Sequence, residues 1–367
     1  RAPLERGLLH LDSDVIGYTS LLVRDVVYDA TPAHVRRELH AAAVEVVADG
    51  SRSSAVLGHH HDAAGHRAAA SRLLADAGDE YSRQLDDTGA AALYQRALIN
   101  ARASVAAGEL PPTAMIAISI RLADALRASD RLNLARGVLT EAESWGDLDP
   151  RLTALLLRTS GHLAAAESSL VTAAVPYLEK AIGAAIASGD GNLIADAYVD
   201  LATVLIRVGK GAEATRELEE AIDLITLGDG ARSRRAPAHL WQVVIKLAQL
   251  AAADGDHRRA AELAEVALLQ AQRVAARVGA ARSQSLLASA YERLGKKELA
   301  SEHRRAAVNE LRRMGDRRGT AELLLHATGT GGSLLRIDPA SMREALQLAY
   351  ETGWTEAAER AELPGKG

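Results

Sequence analysis

The chain contains no Cys and no Phe, and only 3 Trp and 8 Tyr among its 367 residues. Without Cys there can be no disulfide framework, thiol nucleophile, or Cys-ligated zinc or iron–sulfur centre. Scarcity of aromatic residues leaves Ala and Leu to fill the interior. That suits close-packed helices better than sheets, which favour β-branched and aromatic side chains. No apolar run approaches the roughly 18–20 residues that a membrane-spanning helix needs, so no membrane partner is expected. Arg1-Ala2-Pro3-Leu4-Glu5-Arg6 is neither an initiator nor a signal peptide. It reads as the start of a piece of a longer protein, with the cytoplasm as the default compartment.

What is present is ordinary globular material, 48% hydrophobic and 25% charged, with a formal net charge of −5. That rules out a chain disordered from end to end and argues against nucleic acid as a partner of the whole. The charge is uneven: Asp130 to Ala231 holds 16 acidic and 8 basic residues, whereas Arg232 to Arg318 holds 9 acidic and 18 basic. An acidic middle and a basic later part allow successive turns of an array to attract, or another subunit to dock head to tail. The basic residues include Arg232, Arg234, Arg235, Arg258, Arg259, Arg304, Arg305, Arg312, Arg313, Arg317 and Arg318. Paired guanidinium groups suit carboxylates and phosphates. However, Trp241 and Tyr291 are the only aromatic residues there, which leaves little for base stacking and favours a solvated helix face.

One pattern recurs along the chain: Ala, a large residue four later, and Ala three after that. It occurs at Ala90-Tyr94-Ala97, Ala135-Leu139-Ala142, Ala174-Leu178-Ala181 and Ala214-Leu218-Ala221, then at Ala260-Ala264-Ala267 and, degenerately, at Ala300-Arg304-Ala307. The leading Ala returns after 45, 39, 40, 46 and 40 residues, which marks a repeat. Each unit reads as a helical hairpin whose two amphipathic stretches are separated by a turn with Gly or Asp. Gly295 is one such turn, placed to adopt the left-handed conformation that closes a helix. Small residues let two backbones approach and the large residue is expected to fill the gap between neighbouring hairpins, while stacking buries the apolar stripe that one hairpin leaves open.

This series, with an intact example in the Leu286 to Ala300 segment, resembles the tetratricopeptide repeat (TPR). Spacings near 40 exceed the usual length of about 34 and are similar to the longer-helix variant of the maltose-regulon activator and related bacterial signalling ATPases. The N-terminal part adds to the resemblance. Gly7 to Leu11 and Val15 to Tyr18, around Asp12-Ser13-Asp14, read as the two strands of a wing, followed by a helix from about Ser20 to Asp29. Thr31-Pro32 reads as an N-cap with Pro in the first turn, and Val35, Leu39, Ala43, Val46 and Val47 share one face up to Gly50. The segment is similar to the end of the winged-helix module that joins an ATPase core to TPR repeats, although Tyr18 and Ser20 stand where that family commonly has Phe and His.

The expected organisation is therefore a winged-helix-like remnant at 1–50, a TPR-like solenoid at 51–325, a turn-rich linker at 326–336, and a C-terminal capping hairpin at 337–367. Asp338-Pro339 should cap a helix carrying Met342, Leu346 and Tyr350, and Trp354 should lead into a last short helix ending near Leu363. Whether this is a seventh hairpin or a cap is left open by the sequence.

Catalytic signatures are missing. Gly209-Lys210-Gly211, Gly295-Lys296-Lys297 and Gly329-Thr330-Gly331-Gly332 lack the residues of a phosphate-binding loop, and no Gly-x-Ser-x-Gly or His-Glu-x-x-His motif occurs. His59-His60-His61-Asp62 with His66 is the one cluster resembling a metal site. Three consecutive imidazoles on a helix point in different directions, though, and ligands sharing a face sit three or four apart, so that His59 and Asp62 could pair. No catalytic residue, metal or cofactor is expected, and neither is an enzyme.

The fold expected is all-α, a right-handed TPR-like solenoid of six or seven hairpins. Its expected work is protein interaction or sensing, as the regulatory part of a bacterial serine/threonine kinase or regulator ATPase. The resemblance implies that the first helices of the hairpins line the inner surface. The repeat register then places Arg72, Asp79, Arg121, Asp124, Arg158, His162, Asp196, Gln242, Gln249, Arg282 and Ser289 on or near it. A protein or peptide is the expected partner, read from an open polar groove. The alternative is a small-molecule inducer, read from a deep pocket of about 300–1,000 Å³.

Overall fold

A computed structural model describes residues 6, 8–12, 15–50, 53–145, 148–227, 237–329 and 339–352. The chain divides into two units, 1–148 and 149–367. The first unit opens with an antiparallel hairpin of β1 (Leu9–Asp12) and β2 (Val15–Tyr18), paired from Leu9 opposite Tyr18 to Asp12 opposite Val15. Helix α1 (Leu21–Ala30) follows, its N-terminus capped by the Ser20 side chain, which accepts the Leu22 N–H at 3.2 Å. No described residue of α1 is buried. Thr31 serves the end of α1, not the start of the next helix: its hydroxyl donates to the Val27 carbonyl at 2.7 Å. The next helix, α2 (Ala33–Gly50), begins two residues later with Pro32 directly ahead of it, the Pro32 carbonyl accepting the Arg36 N–H at 3.0 Å. Along α2, Leu39 and Val46 face solvent, and His40 faces α3 (Ser54–Ala64).

From α4 onward the helices pair as consecutive antiparallel hairpins. The first unit contains α4 (Arg67–Arg83) with α5 (Asp87–Ala106), and α6 (Pro112–Ala128) with α7 (Leu132–Glu143). In the second unit, α8 (Pro150–Ala166) pairs with α9 (Ala174–Ser188) across a 3₁₀ turn, α10 (Gly191–Arg207) with α11 (Gly211–Leu227), and α12 (Leu240–Ala253) with α13 (His257–Arg273). It continues with α14 (Arg277–Arg293) and α15 (Lys297–Met314), then α16 (Arg317–Gly329) and α17 (Pro339–Glu351). Helix α16 continues through His326–Gly329, where the turn-forming residues mark the expected start of a linker. The rest of that linker with the Asp338 cap, the segment from Trp354 to Leu363, and Arg232, Arg234 and Arg235 lie outside the described residues.

The repeat register is visible as burial. Ala90, Ala135, Ala174, Ala214, Ala260 and Ala300, each in the first turn of the second helix of its hairpin, have no accessible surface. Their partners on the first helices are Gly78, Ala123, Gly161, Ala202, Ala248 and Ala288, twelve residues upstream, or thirteen in the case of Gly161, and all are buried. At Tyr94 and Leu178 the large residue of the pattern fills the space inside its own hairpin, against the facing small residue, and not the gap between neighbouring hairpins. A Cβ on Gly78 would lie 2.5 Å from the Tyr94 ring, and one on Gly161 would lie 2.7 Å from Leu178. At Ala300-Arg304-Ala307 the slot is taken by Arg304, whose stem packs inside while its guanidinium meets Glu292 at 2.7 Å. Both side chains of this pair are largely buried, so Arg304 does not belong to a solvated face. In α17 Met342 occupies the small position, with Leu346 and Ala349 behind it, beside buried Val308, Ala321, Leu324 and Ala345. Turn closure uses Gly295 at φ +75°, as its place in the pattern requires.

These contacts give opposite signs for one substitution type. A mid-helix Gly→Ala change ordinarily stabilises by about 1 kcal/mol. Gly183→Ala, with open space around its Cβ position, should behave that way. Gly78→Ala should instead destabilise by about 1–3 kcal/mol through overpacking on Tyr94. Denaturant unfolding of both variants checks the register.

Candidate functional site

The sequence-derived groove residues fall in both units, and each group is described by itself. In residues 1–148, Asp79 on α4 is held from two sides: the Tyr94 hydroxyl donates to Oδ1 at 2.6 Å and Arg121 on α6 donates to Oδ2 at 3.1 Å. Burial, then the neighbouring Asp79 carboxylate, holds the Tyr94 hydroxyl far above its usual range. Asp124, one turn from Arg121, lies 3.6 Å from Arg127. Arg72 is exposed on α4, with His61 as its charged neighbour.

The histidines lie in the same unit. His60 Nδ1 approaches His40 Nδ1 at 2.9 Å, and His61 approaches His66 at 3.3 Å. Arg96 lies between His59 and Asp62, while Asn100 donates to Asp62 at 2.9 Å. Burial first, then neighbouring imidazoles and guanidinium groups, lowers the pKa of His40, His59 and His61. Among the described residues no group of three or more His, Asp or Glu side chains is placed to hold a metal ion.

A denser arrangement lies in residues 149–367, on the first helices of three consecutive hairpins. Arg158 of α8 donates its Nε–H to Asp200 at 2.8 Å and an Nη1–H to Asp196 at 3.4 Å, both carboxylates being on α10. His162, one turn beyond Arg158, lies 2.9 Å from the same Asp200 oxygen. His239, just ahead of α12, meets Asp196 through Nδ1 at 2.8 Å, and its backbone N–H donates to Asn192 at 3.1 Å. Arg158, Asp196 and Asp200 are each four-fifths buried or more. Burial alone would raise the Asp200 pKa. The His162 hydrogen bond and charge and the Arg158 guanidinium outweigh it, and the carboxyl sits below its ordinary range.

Beside this network stand two further cations. Lys246 on α12 is half-buried, with Asp200 and Arg282 of α14 as its charged neighbours, and burial followed by Arg282 lowers its pKa. Neither Lys246 nor Arg282 has an ion pair or side-chain hydrogen bond with another described residue. Gln242 is half-buried on α12, whereas Gln249 and Ser289 are exposed and hydrogen-bonded to none of the other candidates. Thus the structure brings Arg158, His162 and Asp196 together and places Arg282 at their edge.

Asp200, Lys246 and His239 are the members that sequence reasoning missed. Asp200 and Lys246 stand two residues before Ala202 and Ala248, as Arg121 stands before Ala123, so extending the register by that one column finds them. His239 precedes its helix, where no periodic signal operates.

Much of the basic segment is spent on neighbouring hairpins. Arg259 pairs with Glu219 at 2.6 Å and Arg312 with Glu344 at 2.5 Å, whereas Arg317 meets Glu351 at 3.2 Å within the last hairpin. No helix among the described residues is long and apolar enough to cross a membrane.

No family model matches the chain, and no curated protein matches it significantly. Among solved structures it is similar to the apo form of RapI, with 13% identity over 79% of each chain and a TM-score of 0.58. A second is the Rap conjugation regulator of plasmid pLS20 in complex with the Phr* peptide, with 14% identity, 84% of this chain, 79% of that chain and a TM-score of 0.53. A third is a signal transduction ATPase with a tetratricopeptide repeat sensor from Pyrococcus horikoshii, with 16% identity over 98% of this chain and a TM-score of 0.51. The chain spans 56% of that ATPase's length. These likenesses establish the fold, a TPR-like helical solenoid.

Removing Arg158 leaves two largely buried carboxylates facing each other. Arg158→Met should destabilise the second unit by about 2–3 kcal/mol, and adding Asp200→Leu should recover much of the loss. Because the folded pKa of Asp200 is depressed, its stabilisation is present above the ordinary carboxylate value and lost as pH falls through the folded one. Urea unfolding of the single and double variants, at neutral pH and near pH 3, tests both statements.

Proposed function

We propose that this chain is a non-catalytic recognition solenoid for a peptide or protein segment bearing negative charge. It would be the regulatory part of a larger bacterial signalling protein, a cytoplasmic serine/threonine kinase or regulator ATPase. The observation that carries the reading is the pair Lys246 and Arg282 on the first helices of adjacent hairpins. Their neighbours Arg158, Asp196 and Asp200 already satisfy one another, so these two cations are left to meet a ligand. Gln242, Gln249 and Ser289 would add hydrogen bonds along the same face, and Asp79, Arg121, Asp124 and Arg72 would form the corresponding face of the first unit.

The kinship of fold with a regulator solved with a bound peptide supports a peptide as ligand. The β1–β2 hairpin ahead of α1, together with similarity to a signalling ATPase, supports a winged-helix-type connection to an output domain. The net charge of −5, and the shortage of aromatic residues in the basic segment, make nucleic acid a poor partner. A second reading, a small-molecule receptor, has one observation in its favour: a cavity of about 530 Å³ lined by α13, α14 and α15.

Exposed charge contacts are screened over about 8 Å at physiological ionic strength, so a ligand held by Lys246 and Arg282 should bind more weakly as salt rises. Panning a random peptide library on the chain should enrich sequences rich in Asp and Glu. Lys246→Glu combined with Arg282→Glu should weaken the best of them about tenfold or more without changing the helical circular dichroism signal. Enrichment of neutral peptides that bind the double variant equally well would refute the reading.

A further inference from the structure

The cavity of about 530 Å³ lies away from the Arg158–Asp200 network, between the second helices α13 and α15 and the first three turns of α14. Its volume is in the range of small-molecule sites. Its floor is methyl groups: Ala271 of α13, Ala276 and Ala280 at the start of α14, and Ala306 of α15. Leu268 extends that floor. With no aromatic ring in the lining, the surface is smooth, apolar and suited to an aliphatic or planar body.

The rim is polar and its charge is positive. Gln272 and Asn309 stand on opposite walls, and neither side-chain amide is hydrogen-bonded to another described residue. Arg277 makes no ion pair or hydrogen bond with another described residue. Arg313 has only Glu310, 2.7 Å away and one turn earlier on its own exposed helix face. Such exposed i,i+3 pairs hold a cation only weakly. Two guanidinium groups against one carboxylate leave an excess positive charge at the mouth of an apolar hollow. Both arginines belong to the basic segment that follows Arg232.

The turn from α13 to α14 points the same way. The corresponding turns after α9 and α15 reach the left-handed region with Gly189 at φ +68° and Gly315 at +71°. Here the position is Ala275, at φ +54°. It is the one non-glycine residue of the second unit with positive φ among the described residues, and it lines the cavity. An L-residue there carries strain that glycine would avoid. What alanine contributes in return is one more methyl on the cavity wall.

We propose that this cavity binds a small amphipathic organic anion. Its apolar body would lie on the alanine floor, its acidic group between Arg277 and Arg313, and its remaining polar atoms within reach of Gln272 and Asn309. The site bridges the α12–α13 and α14–α15 hairpins, so occupancy would fasten them together. It is separate from the proposed peptide face, and either can fail without the other.

The probe is anilinonaphthalene sulfonate, an apolar ring system with one fixed negative charge, titrated into the full chain and followed by fluorescence. We expect one saturable site, displaced by decanoate and not by decyltrimethylammonium. Arg277→Gln with Arg313→Gln should weaken it about tenfold. Ala306→Trp, which fills the hollow, should abolish the saturable phase. Ala275→Gly should separate folding from binding, raising the melting temperature while weakening the probe about two- to fourfold through loss of one methyl contact. Should Ala306→Trp fail to fold, the arginine pair and Ala275→Gly still decide the matter. The proposal is overturned by non-saturable binding, by equal displacement with the cationic detergent, or by unchanged affinity in the arginine double variant.

Discussion

In the α4–α5 and α8–α9 hairpins a backbone without a side chain, at Gly78 and Gly161, lies against one large residue of the facing helix. At Gly78 and Gly161 the clearance to Tyr94 and Leu178 is smaller than a methyl group needs. A fully buried Leu or Tyr contributes roughly 1.5–3 kcal/mol by leaving water, and only a small residue opposite lets it do so without pushing the helices apart. That spacing brings Ala90, Ala135, Ala174, Ala214, Ala260 and Ala300 into complete burial, one in each of the first six hairpins. A chain almost devoid of aromatics can therefore still build a dense interior, because close approach substitutes for large side chains.

Charge follows the same period. Most of the ion pairs and hydrogen bonds joining one hairpin to the next connect residues 38–43 apart: Asp79 with Arg121, Arg102 with Glu141, Arg151 with Asp190, Arg158 with Asp196 and Asp200, Asp196 with His239, and Glu219 with Arg259; Arg312 with Glu344, 32 apart, departs from that spacing. Most are exposed and individually contribute about 0–1 kcal/mol. The Arg158 group is the exception, because its members are largely withdrawn from water and fix one another's positions. Once those charges are committed to structure, the cations without partners acquire meaning. Lys246 and Arg282 stand out on the face of the first helices, and Arg277 at the cavity. The basic bias of the later segment is thus partly glue between hairpins and partly a reserve of positive charge.

The helical repeat was legible because its cause is local. An Ala at a fixed offset from a large residue appears in sequence as the same spacing that places it in the core, and Gly295 marks a turn that only its backbone freedom requires. Where a slot is filled unconventionally, by Arg304 or Met342, the register survives but the partner, Glu292 or the α16 face, is visible only in three dimensions. The inner-face candidates were found by column, so Arg158, Asp196 and Arg282 were reached while Asp200 and Lys246, in a neighbouring column, were passed over. Thr31 misled because a hydroxyl before Pro32 is chemically able either to accept at a helix start or to donate at a helix end. The cavity had no sequence signal, since its floor is made of the same alanines that elsewhere close helix contacts.

The account rests on the small-against-large contact, and a double-mutant cycle at Gly161 and Leu178 measures it directly. In the native background Gly161→Ala should destabilise, because its Cβ collides with Leu178. With Leu178→Ala already made, the same change should become neutral or stabilising, giving a coupling of about 1–3 kcal/mol. Additive effects, with Gly161→Ala costing the same in both backgrounds, would show that the two helices are not held at that contact and would contradict the account.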